Sequence, residues 1–352
     1  MKLLFLGGTR FLGRHLVDAA LARGHVVTTF SRGYTPTHEH PQVVPLGGNR
    51  DPNIEPGLAA LGVGTWDAVI DTSGYVPRIV EASAQLLDDR VGRYLFVSSL
   101  SVYAKPDRPG LDESAPVDEL ADPHSENLAR DYGALKALCE AVVNRYYSTR
   151  ATVVRPGLIV GPYDTTDRFG YWVARFLAPA LLGDRAPRAV VPAPASRPIQ
   201  FIDARDLAQW MISLVEGDRH GTLNAASPAS LWNMGDLVAA LAAASVDGPR
   251  PVWVEDAVLA AHDVGPWMEL PLWLPESEPD HAGFMEFDCS RASASGLSTR
   301  PLAQTIDDTA AWLRGRDNAG AWQQVLGADK ERAILEAVGE PGWNGRNTLT
   351  IP

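Results

Sequence analysis

The sequence predicts an α/β chain built on a doubly wound parallel sheet, on three observations. Short apolar runs alternate with helical patterns through the first half of the chain. A glycine-rich turn, GGTRFLG, separates the first run from the first helix. Polar, chemistry-bearing residues gather where the runs end, and in open parallel sheets ligands bind outside the carboxyl ends of the strands.

The elements follow in order. Residues 2 to 6 read as a strand buried on both faces. After the glycines, Leu12, Leu16, Ala19 and Ala20 recur at helical spacing until Gly24 stops the turn. HVVTTF (25 to 30), QVVPL (42 to 46), WDAVIDTS (66 to 73) and RYLFVSS (93 to 99) supply the next four strands. The stretch 104 to 129, rich in Pro, Asp and Glu, reads either as a loop or lid over the site or as a solvated surface excursion. Beyond GLIVGPYD the chain turns loop-rich and dense in proline and tryptophan, which starts a second, smaller lobe. IQFIDARDLAQWMISLV (199 to 215) returns to strand then helix, and GTLNAAS (221 to 227) is a further strand open to joining the first sheet. The expected division is a cofactor-binding domain of 1–160 with 199–228, a substrate-binding lobe of 161–198 with 229–345, and a tail of 346–352.

Composition narrows the function. With 352 residues, 45% of them hydrophobic, the chain can bury a large core. A net charge of −12 opposes binding to a phosphate backbone, so a small-molecule substrate is expected and a nucleic acid is not. Cys139 and Cys289 lie far apart and outside metal-ligand spacing. Only His38 and His40 pair at ligand spacing, in a polar loop, so no metal is expected. The apolar start LLFL is too short for a secretory signal, and no window approaches the roughly 20 apolar residues of a membrane span. No membrane partner is expected, and a reducing cytoplasm is the expected compartment.

Three motifs carry chemistry. Gly7 and Gly13 are spaced as the first and last glycines of a strand-turn-helix dinucleotide fingerprint, with the helix amino terminus aimed at a pyrophosphate. Arg10 takes the middle glycine position and would set a guanidinium beside the phosphates; alone, the loop has a tight turn as its alternative reading. In DYGALKALCE, Tyr132 and Lys136 stand four apart and share a helix face. In LFVSSLSVY, Ser98, Ser99 and Ser101 bring hydroxyls to the end of the fifth strand. A carbonyl taking up hydride develops negative charge on oxygen and needs a proton donor and a second hydrogen bond in place. Tyr132 can give the proton and Ser99 can hold the oxygen. The Lys136 ammonium favours the phenolate that the reverse reaction needs.

With GGTRFLG, DTSGY, SSLSVY, YGALK, RPGLIVGP and IQFIDARDLA in this order, the chain resembles the extended short-chain dehydrogenase/reductase superfamily. Within it the chain is similar to NAD(P)-dependent epimerases, dehydratases and reductases, in particular isoflavone-reductase-like bacterial members. The resemblance implies a Rossmann-type sheet and a catalytic set of Ser99, Tyr132 and Lys136, with Lys136 also on the nicotinamide ribose. It places Pro156, Gly157 and Leu158 by the nicotinamide. The rest of the implied cofactor site is Gly7, Thr9, Arg10, Phe11, Leu12, Gly13, Ser31, Arg32, Asn49, Arg50, Thr72, Ser73, Gly74 and Val97. Tyr75, Ser99, Ser101, Arg168 and Arg197 are the expected substrate contacts.

Two departures refine this. Sugar-nucleotide epimerases usually carry a diphosphate-holding arginine where this chain has Ile199, with Arg197 two residues earlier, which argues against a nucleotide-diphosphate sugar. An NAD enzyme usually ends its second strand on a carboxylate; here Ser31 is followed by Arg32, so NADP(H) is the expected cofactor and NAD(H) the alternative. Tyr103 reads as packing and Asp206 as capping or pairing, while Trp253, Trp267 and Trp273 suit either a flat pocket or core. The expected function is an oxidoreductase acting on a carbonyl or secondary alcohol. Its rivals are a redox-neutral epimerase or dehydratase on a sugar-like substrate and a non-catalytic nucleotide- or RNA-binding member of the fold.

Overall fold

Side chains of a strand alternate between the two faces of a sheet, so a strand apolar at every position must be covered on both. In the computed structural model, which describes residues 1–33, 40–317, 321–322 and 324–339, the stretch from Leu3 to Leu6 in the first strand meets this condition. Leu3 and Phe5 join one core and Leu4 and Leu6 the other, all at 0% exposure.

The chain opens with β1 (Lys2–Leu6), α1 (Phe11–Ala22), β2 (Val26–Ser31), β3 (Val44–Gly47), β4 (Trp66–Asp71), α2 (Pro77–Leu87) and β5 (Val91–Val97). It continues through α3 (Leu128–Tyr147), β6 (Ala151–Pro156), β7 (Leu158–Val160), α4 (Arg168–Leu177), β8 (Arg188–Pro192), β9 (Pro198–Ile199) and β10 (Phe201–Asp203). Then come α5 (Ala204–Glu216), β11 (Gly221–Ala225), β12 (Trp232–Asn233), α6 (Met234–Ala244), β13 (Arg250–Val254) and α7 (Asp256–Ala261). The last helices are α8 (Ser290–Ala294), α9 (Leu302–Gly315) and α10 (Ala328–Ala337).

Seven strands form one parallel sheet in the order β11-β6-β5-β4-β1-β2-β3. On one face, Leu16, Val17 and Ala20 of α1 and Leu207, Met211 and Leu214 of α5 pack with Leu3 and Phe5. On the other, Val80 and Leu87 of α2 and Cys139, Val143 and Tyr147 of α3 pack with Leu4 and Leu6. The strand order reverses between β1 and β4, which opens the ligand-binding crevice at their carboxyl ends. The 221-to-227 strand does return to this sheet, pairing Gly221 with Thr152 of β6.

Two strands end earlier than the apolar pattern suggests. β4 stops at Asp71 because Thr72 and Ser73 turn to hydrogen-bond the Leu6 carbonyl, and β5 stops at Val97 before Ser99 caps a short 3₁₀ turn, Leu100–Val102.

The first compact unit is Met1–Thr165, Pro198–Trp232 and Glu278–Asp308. Residues 278–308, expected in the second lobe, therefore pack with the sheet. The Gln200 amide explains this return: its Nε2 donates to the Phe287 carbonyl at 2.9 Å and its Oε1 accepts from Phe287 N at 3.0 Å. Asn224 in β11 donates to the Asp288 carbonyl. The second unit is Thr166–Arg197, Asn233–Ser277 and the described residues from Thr309 onward. In it β8 pairs in parallel with β13, and Arg175, with Arg185, is buried against Glu331. The expected tail 346–352 and His38 lie outside the described residues. Among the described residues there is no cluster suited to a metal ion, and no helix long and apolar enough to cross a membrane.

Two ion pairs in the first unit hold buried carboxylates next to the site: Arg155 with Glu140, both buried, and the partly buried Arg50 with Asp71. Arg155 grips Glu140 through Nε and Nη2, and its Nη1 donates to the Tyr103 hydroxyl at 3.0 Å. Removing one member of such a pair strands the other charge out of water. Glu140→Gln is therefore expected to lower the unfolding free energy by about 3 to 5 kcal/mol, read from urea denaturation; a loss under about 1 kcal/mol would contradict this role.

Candidate active site

The site begins where β1 runs out. Gly7 and Gly8 both have positive φ, +109° and +91°, a region side-chain-bearing residues rarely enter. Sterics bind them further: a Cβ on Gly7 would lie 2.3 Å from Thr72 Oγ1, and one on Gly13 would lie 2.7 Å from Gly8 Cα. The turn is thus pressed between the β4 end and its own helix. Arg10 occupies the N-cap position of α1 without a side-chain cap hydrogen bond and is exposed, so its side chain does not fill the helix start. Glycine-shaped space beside first-turn N–H groups suits a pyrophosphate. Thr9 and Phe11 are partly buried in this turn, and Leu12 is buried against the core.

At the end of β2, Ser31 Oγ accepts from Gly33 N at 3.3 Å and Arg32 is exposed. Asn49 Oδ1 accepts from Asp51 N. Arg50, expected on the cofactor, instead spreads its guanidinium over Asp71, Ser73 and Ser83.

The β4 end is pinned to β1. Thr72 N, Thr72 Oγ1 and Ser73 Oγ all donate to the Leu6 carbonyl at 3.0–3.1 Å. This leaves the Gly74 carbonyl to receive the Lys136 ammonium at 2.6 Å, and the Val97 carbonyl at the end of β5 receives it at the same distance. Lys136 is 2% exposed, and its Nζ lies 4.1 Å from the ring centre of Phe96 and 5.3 Å from that of Tyr75. Burial is the main cause that draws its pKa down to about 8, against the upward pull of Cys139, Asp71 and Glu140.

Tyr132 follows a kink in α3 at Asp131, whose φ and ψ leave the helical region, and its ring is 6.5 Å from that of Tyr75. Tyr75 thus neighbours both Tyr132 and Lys136. Ser99 caps the 3₁₀ turn by accepting from Ser101 N at 3.1 Å, and both serines are partly buried. Ser98 Oγ is buried with no hydrogen-bond partner among the described residues. Pro156 closes β6, Gly157 N donates to the Ala225 carbonyl, and Leu158 opens β7.

Gly133 escapes the sequence reading. A Cβ there would come within 2.1 Å of the Ser101 carbonyl oxygen, so α3 can approach the serine turn only with glycine next to Tyr132. Its signal was the G of YGALK; the doubled glycine of GG likewise marked Gly8. The other residues singled out in the sequence have partners of their own. Arg197 belongs to the second unit, where it donates to Asp256 and to the Ala193 and Leu274 carbonyls. Arg168, also in that unit, lies over the Trp267 ring at 5.5 Å. Asp206 pairs with Arg300, and Tyr103 is a packed residue stacked on Phe287 whose hydroxyl also donates to Asn224. Trp273 is core, with its Nε1 donating to Asp256, whereas Trp253 is exposed.

Comparison with known proteins bears on this geometry. Residues 64–226 match the NAD dependent epimerase/dehydratase family. The chain is 30% identical over 177 residues, 46% of its length, to the chloroplast stem-loop binding protein of 41 kDa b of Arabidopsis thaliana. It is 30% identical over 180 residues, 47% of its length, to a 2-alkyl-3-oxoalkanoate reductase of Stenotrophomonas maltophilia. The matches span about half of these relatives, 43% and 52% of their lengths. The structure superposes on the Bordetella bronchiseptica enzyme WbmH in complex with NAD+ with a TM-score of 0.63 at 19% identity, covering 89% of this chain and 98% of that one.

The buried ammonium has a thermodynamic signature. Below about pH 8 Lys136 is protonated in both folded and unfolded chains, so its burial cost does not vary. From there to the unfolded pKa near 10.5 only the unfolded chain holds the proton, so folding gains stability as pH rises. Relative to Lys136→Met, the wild type is expected to gain about 3 kcal/mol of unfolding free energy between pH 7 and pH 11. A pH-independent difference between the two proteins would refute the depressed pKa.

Proposed function

Because residues 64–226 match the NAD dependent epimerase/dehydratase family and α3 carries a buried lysine one helical turn from a tyrosine, we propose that the chain is an NAD(P)-dependent oxidoreductase moving a hydride between the nicotinamide and a carbonyl or secondary alcohol of a small molecule. The observation that carries this reading is Lys136, buried at the joined ends of β4 and β5, one helical turn from Tyr132.

The glycine turn and the first turn of α1 would hold the pyrophosphate, and the β4 and β5 ends would face the nicotinamide ribose. A bound nicotinamide supplies or accepts the hydride. Tyr132 Oη gives the proton to the carbonyl oxygen in reduction and takes it from the alcohol in oxidation. Ser99 Oγ holds that oxygen as its charge develops. The Lys136 charge stabilises the phenolate left on Tyr132.

The match to the epimerase/dehydratase family favours a second reading, in which the same three residues serve a redox-neutral reaction and the cofactor stays bound between half-reactions. A purified protein that retains nicotinamide through dialysis would favour it. The net charge of −12 argues against stem-loop binding of the kind named for the Arabidopsis relative, because binding to a phosphate backbone gains much of its affinity from neutralised phosphates.

Two predictions test the proposal. Tyr132→Phe keeps the ring and removes the proton, so turnover is expected to fall by a factor of roughly 100 or more with cofactor affinity nearly unchanged. A folded Tyr132→Phe enzyme with full activity would take Tyr132 out of the chemistry.

The second concerns cofactor choice. Ser31 replaces a carboxylate that would repel a 2′-phosphate, and Arg10 and Arg32 are exposed at the ends of the adjoining elements. Charge-assisted contacts of this kind contribute about 1.5 to 3 kcal/mol each, so the wild type is expected to prefer NADPH over NADH by roughly one to two decades. Titrations of both cofactors against wild type, Arg10→Ala, Arg32→Ala and Ser31→Asp check it. A wild type that prefers NADH, or a gap untouched by both arginine deletions, would leave the loop a pyrophosphate cradle only.

A further inference from the structure

Arg50 has five N–H groups, and four are committed inside the protein. Nη1 donates to Asp71 Oδ1 at 2.5 Å and to Ser73 Oγ at 3.2 Å; Nη2 donates to Asp71 Oδ2 at 2.6 Å and to Ser83 Oγ at 2.9 Å. The fifth, Nε–H, is buried without a partner among the described residues. Such a side chain has no outward donor for a nucleotide, so the motif position that promised a cofactor contact does something else.

What it holds is a hub. Asp71 is 0% exposed, and besides the Arg50 fork it accepts from the Tyr94 hydroxyl at 2.7 Å and from Ser73 N at 3.0 Å. Ser73, gripped by both Asp71 and Arg50, donates in turn to the Leu6 carbonyl. The next residue is Gly74, whose carbonyl receives Lys136. A Cβ on Gly74 would lie 2.5 Å from Phe96 and 3.0 Å from Asp71 Oδ2, so this carbonyl is tightly seated over the hub. Arg50 also ties in Ser83 of α2, so β4, α2 and the segment after β3 are locked together under the ammonium.

We infer that Arg50 is a positioning residue, which by forking onto Asp71 fixes the Thr72–Gly74 turn and through it the place and charge of Lys136. The inference rests on the reading of Lys136 as part of the reaction site. The charged and titratable groups acting on Lys136 are Asp71 and Arg50, from β4 and the segment after β3, and Cys139 and Glu140 from its own helix. Asp71 pulls the Lys136 pKa up and Arg50, the weaker of the two, pulls it down, while Tyr75 and Phe96 contribute ring faces.

The test uses the full chain, which has only four lysines, Lys2, Lys105, Lys136 and Lys330, so ε-¹³C lysine NMR resolves the Lys136 titration with Lys136→Arg as assignment control. In Arg50→Gln, Asp71 acts on Lys136 without its counter-charge. The Lys136 midpoint is expected to rise by about half a unit or more. The kcat is expected to fall roughly tenfold or more, with the NADPH dissociation constant changed by less than about threefold. Should Arg50→Gln fail to fold, the double variant Arg50→Gln/Asp71→Asn removes both charges. It is expected to lower the Lys136 midpoint, because the stronger, upward pull of Asp71 is gone, and to lose kcat, because the turn has lost its grip. An unchanged midpoint with NADPH binding weakened about tenfold would make Arg50 a cofactor contact and overturn the inference, as would a double variant with wild-type kcat. The NMR titration needs no turnover: a protein inactive on every carbonyl and alcohol tried would undermine the oxidoreductase reading while the Arg50–Lys136 link still passed or failed by the midpoint.

Discussion

An ammonium ion removed from water must find its hydrogen bonds in the protein, and the described site is organised around that need at Lys136. Two strand ends each surrender a main-chain carbonyl to it, Gly74 after β4 and Val97 at the end of β5. Those carbonyls are free because the strands stop pairing at those points, which in a parallel sheet happens on one edge for neighbouring strands. The same edge therefore carries the serines of β5, the threonine–serine turn of β4 and the glycines of β1. Burial also draws the lysine close to neutrality, with Asp71 and Glu140 opposing the loss of charge, so the charge that favours a tyrosine phenolate is one the fold holds near its limit.

Steric exclusion sets the distances around this ion. Three segments approach so closely that only glycine fits: Gly7 against Thr72, Gly13 against Gly8 and Gly133 against the Ser101 carbonyl. The first two close the turn that would cradle a pyrophosphate. The third lets α3 settle on the 3₁₀ turn, bringing the helix of Tyr132 and Lys136 down onto the serines. A one-turn spacing puts tyrosine and lysine on the same helix face, but it is the missing Cβ of Gly133 that lets this face reach its partners.

Two buried carboxylates beside the site, Asp71 and Glu140, are handled in paired form. Asp71 and Arg50 satisfy each other and fasten the β4 turn, while Glu140, one helical turn past Lys136, is held by Arg155 in β6. Each pair ties a sheet strand to a segment outside it. Ion pairs of this kind add little net stability over apolar packing but tolerate few alternative arrangements, because either charge left alone out of water is costly.

The sequence by itself determined the class of fold and the chemical vocabulary of the site. Fully apolar strands such as Leu3–Leu6 have to be covered on both faces, glycine turns and helix periods are local, and the tyrosine–lysine spacing follows from helical pitch. Periodicity located β1, β4, β5 and the returning strand β11, because burial on a sheet leaves a short-range pattern. Tertiary structure alone decided which polar groups are already spent. Arg50 and Arg197 look from their positions like ligands for anions, yet one is absorbed by Asp71 and the other by Asp256, partners 21 and 59 residues away. It alone decided that residues 278–308 pack with the sheet, since the Gln200 amide that receives Phe287 lies 87 residues from it. The physical reason is range: apolar periodicity and backbone sterics act between near neighbours in the chain, whereas the pairing of a buried charge or amide depends on which distant segment arrives beside it.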